Sequence, residues 1–179
     1  MSRKTRLITE TALLLALSIA SQFLKNVSVY ITGPIINCIL IIAVLEVGLA
    51  SGLIISVITP VTSFLITGAP IMKALPLVMP SVMIGNAVIV LMVWLIYRKA
   101  GKNLILALGA GTVLKAVVMG LLISVIIIPI MGPNTALPEM ALNTARFTFS
   151  VTQLIAAAIG SVLAYIIWIP LKKARHKVK

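Results

Sequence analysis

The sequence predicts an all-α integral membrane protein: a compact bundle of six transmembrane helices in one domain, residues 1–179, with both termini in the cytoplasm. Three observations predict it. The chain is 61% hydrophobic and only 10% charged, with a mean hydropathy of +1.21. A soluble domain of that composition would expose large adhesive patches. Apolar runs recur at Leu7–Leu24, Pro34–Leu45, Leu53–Ile66, Ala74–Tyr97, Leu104–Met131 and Phe147–Leu171, against a hydrocarbon core about 30 Å thick. Finally, a count of six puts most of the positive charge on one side of the membrane. Strand-period alternation is absent, which argues against a β-barrel.

The first run follows a basic segment, Met1 to Arg6. That order imitates a signal peptide, but the run is longer than a signal core and no small-x-small cleavage pattern precedes Lys25. It is read as a retained helix. Ala12, Ala16 and Ala20 fall on one of its faces. A stripe of small residues lets another helix approach closely, so this face is a candidate docking surface for a partner; the alternative is packing inside the bundle. The second and third runs are nearly fused. From Ile35 to Ile66 only Glu46, Gly48, Ala50, Ser51 and Gly52 interrupt, and one helix of that length would reach about 48 Å. A turn near Gly48–Gly52 resolves the excess.

Pro60 lies within the third run, and Pro76 and Pro80 within the fourth. Each removes a backbone donor and kinks or opens a helix, which a membrane tolerates where a neighbour or a cavity satisfies the freed carbonyl. The outer connections are then Lys25–Gly33, Thr67–Lys73 and Gly132–Arg146. The last contains Gly132, Pro133 and Pro138 and reads as a loop. A second small stripe, Ala156, Gly160 and Ala164, lies on the last run and competes with the first as a partner face.

With six spans, Arg3, Lys4, Arg6, Arg98, Lys99, Lys102, Lys172, Lys173, Arg175, Lys177 and Lys179 share a side, eleven of the fifteen basic residues. That side is the cytoplasm. Five spans would separate Arg98–Lys102 from the N-terminus. The net charge of +12 thus reports orientation rather than nucleic-acid binding. Trp94 and Trp168 sit near inner ends, as interfacial anchors do. Cys38 is the single cysteine, so there is no disulfide framework. Asn26-Val27-Ser28 matches a glycosylation acceptor pattern too short to carry weight.

Enzyme signals are poor. The one histidine, His176, is in the basic tail, and the acids number three, Glu10, Glu46 and Glu139. Zinc-ligand spacing, a nucleophile elbow and a phosphate-binding loop are missing, which excludes an intramembrane Ser–His protease and an ATPase. No cofactor and no metal are predicted. Polar residues inside spans carry the signal instead. Lys115 lies midway along Leu104–Met131, where a lysine costs roughly 2.5 to 3.5 kcal/mol. It is read as a contact for an anionic or carbonyl-bearing ligand; the alternative is a structural pair with an acid or with helix carbonyls. The amides Gln22, Asn37, Asn86 and Gln153, with Lys73 and Arg146 at outer helix ends and Tyr30 in the first outer loop, line one outward cavity in this reading. Each amide taken alone reads as interhelical glue, worth about 0.6 kcal/mol; their shared bias to one side, with Lys115, is what favours the cavity.

The six short spans, the stripe Ala12-x-x-x-Ala16-x-x-x-Ala20, the segment Thr32-Gly33-Pro34-Ile35-Ile36-Asn37 and the segment Pro80-Ser81-Val82-Met83-Ile84-Gly85-Asn86-Ala87 resemble the substrate-binding S components of energy-coupling factor (ECF) transporters. The resemblance covers essentially the whole chain. It implies a vitamin or similar micronutrient bound near the outer side, and partners: a transmembrane T component docked on the Ala12 stripe and two cytoplasmic ATPases. It implies toppling of the subunit in the lipid bilayer and a prokaryotic-type plasma-membrane location. Lys73, Lys115 and Arg146, if they face one cavity, favour an anionic ligand such as a carboxylate vitamin. An aromatic content of 5% disfavours a flavin-like ring system. Two rivals remain: a structural or assembly membrane protein, and a stand-alone secondary carrier. The carrier would show internal repeats and a mid-membrane acid, and neither is apparent.

Overall fold

In hydrocarbon every backbone N–H and C=O must be satisfied within its own segment, which leaves helices as the way for this apolar chain to cross. The computed structural model describes residues 3–26 and 29–177, and among them every regular element is helical. Val27 and Ser28 of the acceptor pattern, and Lys179 of the basic tail, lie outside the described residues. The α-helices are α1 (Arg3–Gln22), α2 (Val29–Ile42), α3 (Leu49–Thr67), α4 (Pro70–Ala74), α5 (Val78–Val93), α6 (Leu104–Met119), α7 (Ile128–Met131), α8 (Glu139–Phe147) and α9 (Gln153–Lys177). Wider π-helical turns extend several of them: Ala43–Val47 after α2, Trp94–Lys99 after α5, Gly120–Ile127 between α6 and α7, and Thr148–Thr152 between α8 and α9.

Among the described residues five continuous helical segments are long and apolar enough to cross a membrane: Tyr30–Val47, Leu49–Thr67, Val78–Lys99, Leu104–Asn134 and Glu139–Ala174. By that measure the expected six becomes five. α1 is not among them; it carries the Arg6–Glu10 ion pair at 2.7 Å and the buried polar residues Ser18, Ser21 and Gln22. It packs on α2 and α3, with Thr11 donating to Ser51 across the gap at 3.0 Å. The two ends of the bundle have separate apolar cores. One gathers Leu40, Ile41, Val44, Leu45, Ile55, Ile89, Val90 and Trp168. The other gathers Leu75, Val78, Met119, Ile123, Ile128 and Phe149.

Several connections differ from expectation. The turn between the second and third runs is a single residue. Gly48 has φ 137° and ψ 179°, a region open essentially to glycine alone. Gly52 is instead helical, and a methyl there would stand 2.7 Å from Val90 Cγ1, so its smallness serves α3–α5 contact. Pro76 precedes α5, and Pro80 falls in its first turn, where the missing N–H has no helical acceptor to lose. The connection Lys25–Gly33 shrinks because α2 begins at Val29, ahead of Pro34. Gly132–Arg146 is only partly a loop. Pro138, extended at φ −64° and ψ 148°, ends it, and Glu139 opens α8 with an acid in the first turn.

The two small-residue stripes have opposite fates. Ala156, Gly160 and Ala164 are buried against α2. Ala12, Ala16 and Ala20 all stand exposed on the outer face of α1.

Candidate solute-binding site

Lys115 sits where the two apolar cores meet. On α6 it lies between Leu108 of one and Met119 of the other; on α5 Asn86 lies between Val78 and Ile89. Lys115 is 2% exposed, so neither interface receives its charge. Its Nζ donates to Asn37 Oδ1 of α2 at 2.5 Å and to Asn86 Oδ1 of α5 at 2.8 Å. Asn37 Nδ2 in turn donates to Gly33 O at 2.9 Å, which holds the amide with its oxygen towards the lysine. Glycines make room for this arrangement. A methyl on Gly85 would run into Met119 Cγ, and one on Gly111 would stand 3.1 Å from Ile89 Cγ1, so α5 and α6 meet closely beside the lysine. Below it Thr112 and Ser161 share a hydrogen bond of 2.9 Å that ties α6 to α9.

What surrounds the ammonium is dipolar rather than anionic. The chain has three acids in all. Glu10 pairs with Arg6, Glu46 lies in the turn before Gly48, and Glu139 opens α8. Lys115 makes no ion pair among the described residues. Of its three donors, the third has no protein partner among them.

Lys115, Asn37, Asn86 and Gln153 line one cavity of about 90 Å³, closed on other sides by Thr59, Ser63, Val82, Met72 and Phe149. That is room for a few waters or one small head group. A larger hollow of about 550 Å³ lies between Ala69–Met72 and Leu137–Phe149, and it shares Met72, Phe149 and Gln153 with the first. Of the candidate residues, Lys115, Asn37, Asn86 and Gln153 are brought together on this cavity.

The remaining candidates are not. Lys73 is exposed and stands by Gly68, where a methyl would lie 3.7 Å from Nζ; Gly68 is the left-handed residue closing α3, whose carbonyl end attracts a cation. Arg146 is exposed and lines a different hollow with Glu139 and Asn143. Tyr30 is 52% exposed on α2 and lines neither cavity. The expected joint field of Lys73, Lys115 and Arg146 is thus not assembled, and among the described residues Lys115 is the only cation lining the cavity. Gln22 is buried elsewhere, donating to Thr59 O at 3.1 Å to tie α1 to α3. Sequence reasoning missed Thr59 and Ser63. Their spacing of four residues, which puts both on one face of α3, was the available signal.

A helical bundle with several apolar spans is the architecture of a multi-pass membrane protein. The family model "ECF transporter, substrate-specific component" matches residues 6–171. The chain belongs to that family, whose members are substrate-binding transporter subunits and not enzymes. No curated protein and no solved structure matches it.

Proposed function

We propose that this chain captures a vitamin or related small micronutrient from the outer side of a prokaryotic plasma membrane, with Lys115 as the principal contact. It delivers the solute together with a transmembrane T component and two cytoplasmic ATPases, which supply the energy this chain has no motif to convert. The observation that carries this reading is the ammonium of Lys115 buried among helices, held by two amide oxygens and opposed by no acid, on the wall of a cavity. A buried charge without a counter-charge is costly, and a bound anionic or carbonyl oxygen relieves that cost. Asn37 and Asn86 orient the ammonium, and Gln153 adds an amide at the mouth.

The exposed row Ala12, Ala16, Ala20 supports α1 as the face for the T component, since the competing stripe on α9 is already used inside the bundle. Beside that row, Ala12, Leu15, Gly48 and Leu49 border an apolar hollow of about 510 Å³ able to receive a partner side chain or helix end. One observation favours a purely structural reading: two of the three donors of Lys115 are already satisfied within the protein. Purification in detergent followed by mass spectrometry of co-purified small molecules separates the two. A micronutrient retained by the native chain and lost from Lys115→Met supports capture. An empty protein that binds nothing in a vitamin panel supports the structural role.

A further inference from the structure

We propose that the solute is a single-headed amphipathic anion: one carboxylate seated against Lys115, and an apolar body lying in the hollow between α4 and α8. The inference rests on the capture reading above and adds the chemistry of the ligand.

Charge sets the head. Lys115 brings its side-chain nitrogen to a cavity with no acid among its described lining residues, and the protein leaves one of its donors unplaced among the described residues. Asn37 and Asn86 spend their oxygens on the ammonium, so they present no competing negative charge. Gln153, whose side chain makes no hydrogen bond among the described residues, lines both cavities and offers amide donors to the second carboxylate oxygen.

Size sets the body. The inner cavity, about 90 Å³, is well below the roughly 300 Å³ at which small-molecule sites begin. The hollow of about 550 Å³ shares Met72, Phe149 and Gln153 with the inner cavity, and we place there whatever of the solute is larger than a head group. That hollow is walled mainly by Pro70, Ile71, Leu137, Met140 and Ala141, and no charged residue lines it. A second carboxylate there would be buried without a partner, at considerable cost. Lys73 does not line the hollow, and Arg146 faces the neighbouring one with Glu139.

The test uses the full chain in lipid nanodiscs and three probes of one length: octanoate, octanamide and suberate. Octanoate is expected to bind about tenfold or more tightly than either of the others by titration calorimetry, since a lost charged contact or an unpaired second charge exceeds 1.4 kcal/mol. Lys115→Met is expected to abolish the preference for octanoate over octanamide. Ala141→Trp, which fills the hollow from α8 and leaves the inner cavity intact, is expected to weaken octanoate about tenfold or more while leaving displacement by acetate unchanged. Octanamide or suberate binding as well as octanoate, or an unaltered octanoate affinity in Ala141→Trp, overturns the proposal. So does binding of none of the three. A micronutrient that nevertheless co-purifies with the native chain and is lost from Lys115→Met leaves the capture reading standing alone.

Discussion

Gly160 of α9 and Asn37 of α2 approach so closely that a methyl on the glycine would stand 2.6 Å from Asn37 Cβ and 2.7 Å from Pro34 O. Asn37 is the residue whose oxygen receives Lys115 Nζ. The bare backbone of α9 thus seats one of the two oxygens that fix the buried ammonium.

Gly160→Ala is therefore expected to destabilise the bundle by about 1 to 3 kcal/mol, the usual cost of overpacking. It is also expected to weaken solute binding by displacing Asn37. Gly109→Ala provides the contrast, because nothing lies within 4 Å of a methyl there. That change is expected to be neutral or to stabilise by up to about 1 kcal/mol through helix propensity. Thermal unfolding in detergent of both variants checks the pair; equal melting temperatures would remove Gly160 from any role in seating Asn37.

Lys115→Met tests the cation itself. It removes an insertion cost of roughly 2.5 to 3.5 kcal/mol but strips Asn37 Oδ1 and Asn86 Oδ1 of their donor, at about 1 to 3 kcal/mol each. These effects are of similar size, so the melting temperature is expected to move little while solute binding is lost. A collapse in stability with binding retained would assign the lysine to structure.

Gly48→Ala isolates a backbone effect. A methyl on Gly48 meets nothing within 4 Å, yet its φ of 137° is one that side chains rarely adopt. The expected loss is about 1 to 3 kcal/mol, all of it conformational, and solute binding should survive because the turn is remote from the cavity lining. An unchanged unfolding temperature would mean that the helix end re-forms around the new residue.

Much of this site was legible because hydropathy makes a polar residue inside an apolar run conspicuous. Lys115, Asn37 and Asn86 stand out on that ground alone, and the fold brings them into mutual contact. What the sequence does not display is helix rotation and the docking of connections. Lys73 and Arg146 lie at outer helix ends like plausible lid residues, yet one sits by the end of α3 and the other beside Glu139. Pro133 and Pro138 read as loop punctuation and hid the helix that follows them, although a proline just before an acid is also how a helix begins. The same blindness to rotation left the two small-residue stripes unranked until their burial was visible.

That ranking gives the sharpest test of the partner face. Ala16 is exposed and Ala164 fully buried, though both lie on small-residue rows of identical spacing. Leucine at position 164 must be forced into a packed core and is expected to cost about 1 to 3 kcal/mol or more, visible as a lowered melting temperature of the isolated chain. Leucine at position 16 adds apolar surface where nothing of this chain lies, so the isolated Ala16→Leu protein should fold and bind solute like the native one. In the assembled transporter the larger side chain holds a docking helix away from the α1 backbone, and close approach is what such a row contributes in a membrane. Uptake into vesicles loaded with ATP should then fall, in step with loss of the T component from affinity-purified complexes. Full uptake and intact assembly with Ala16→Leu would show that the partner sits on another face of the bundle.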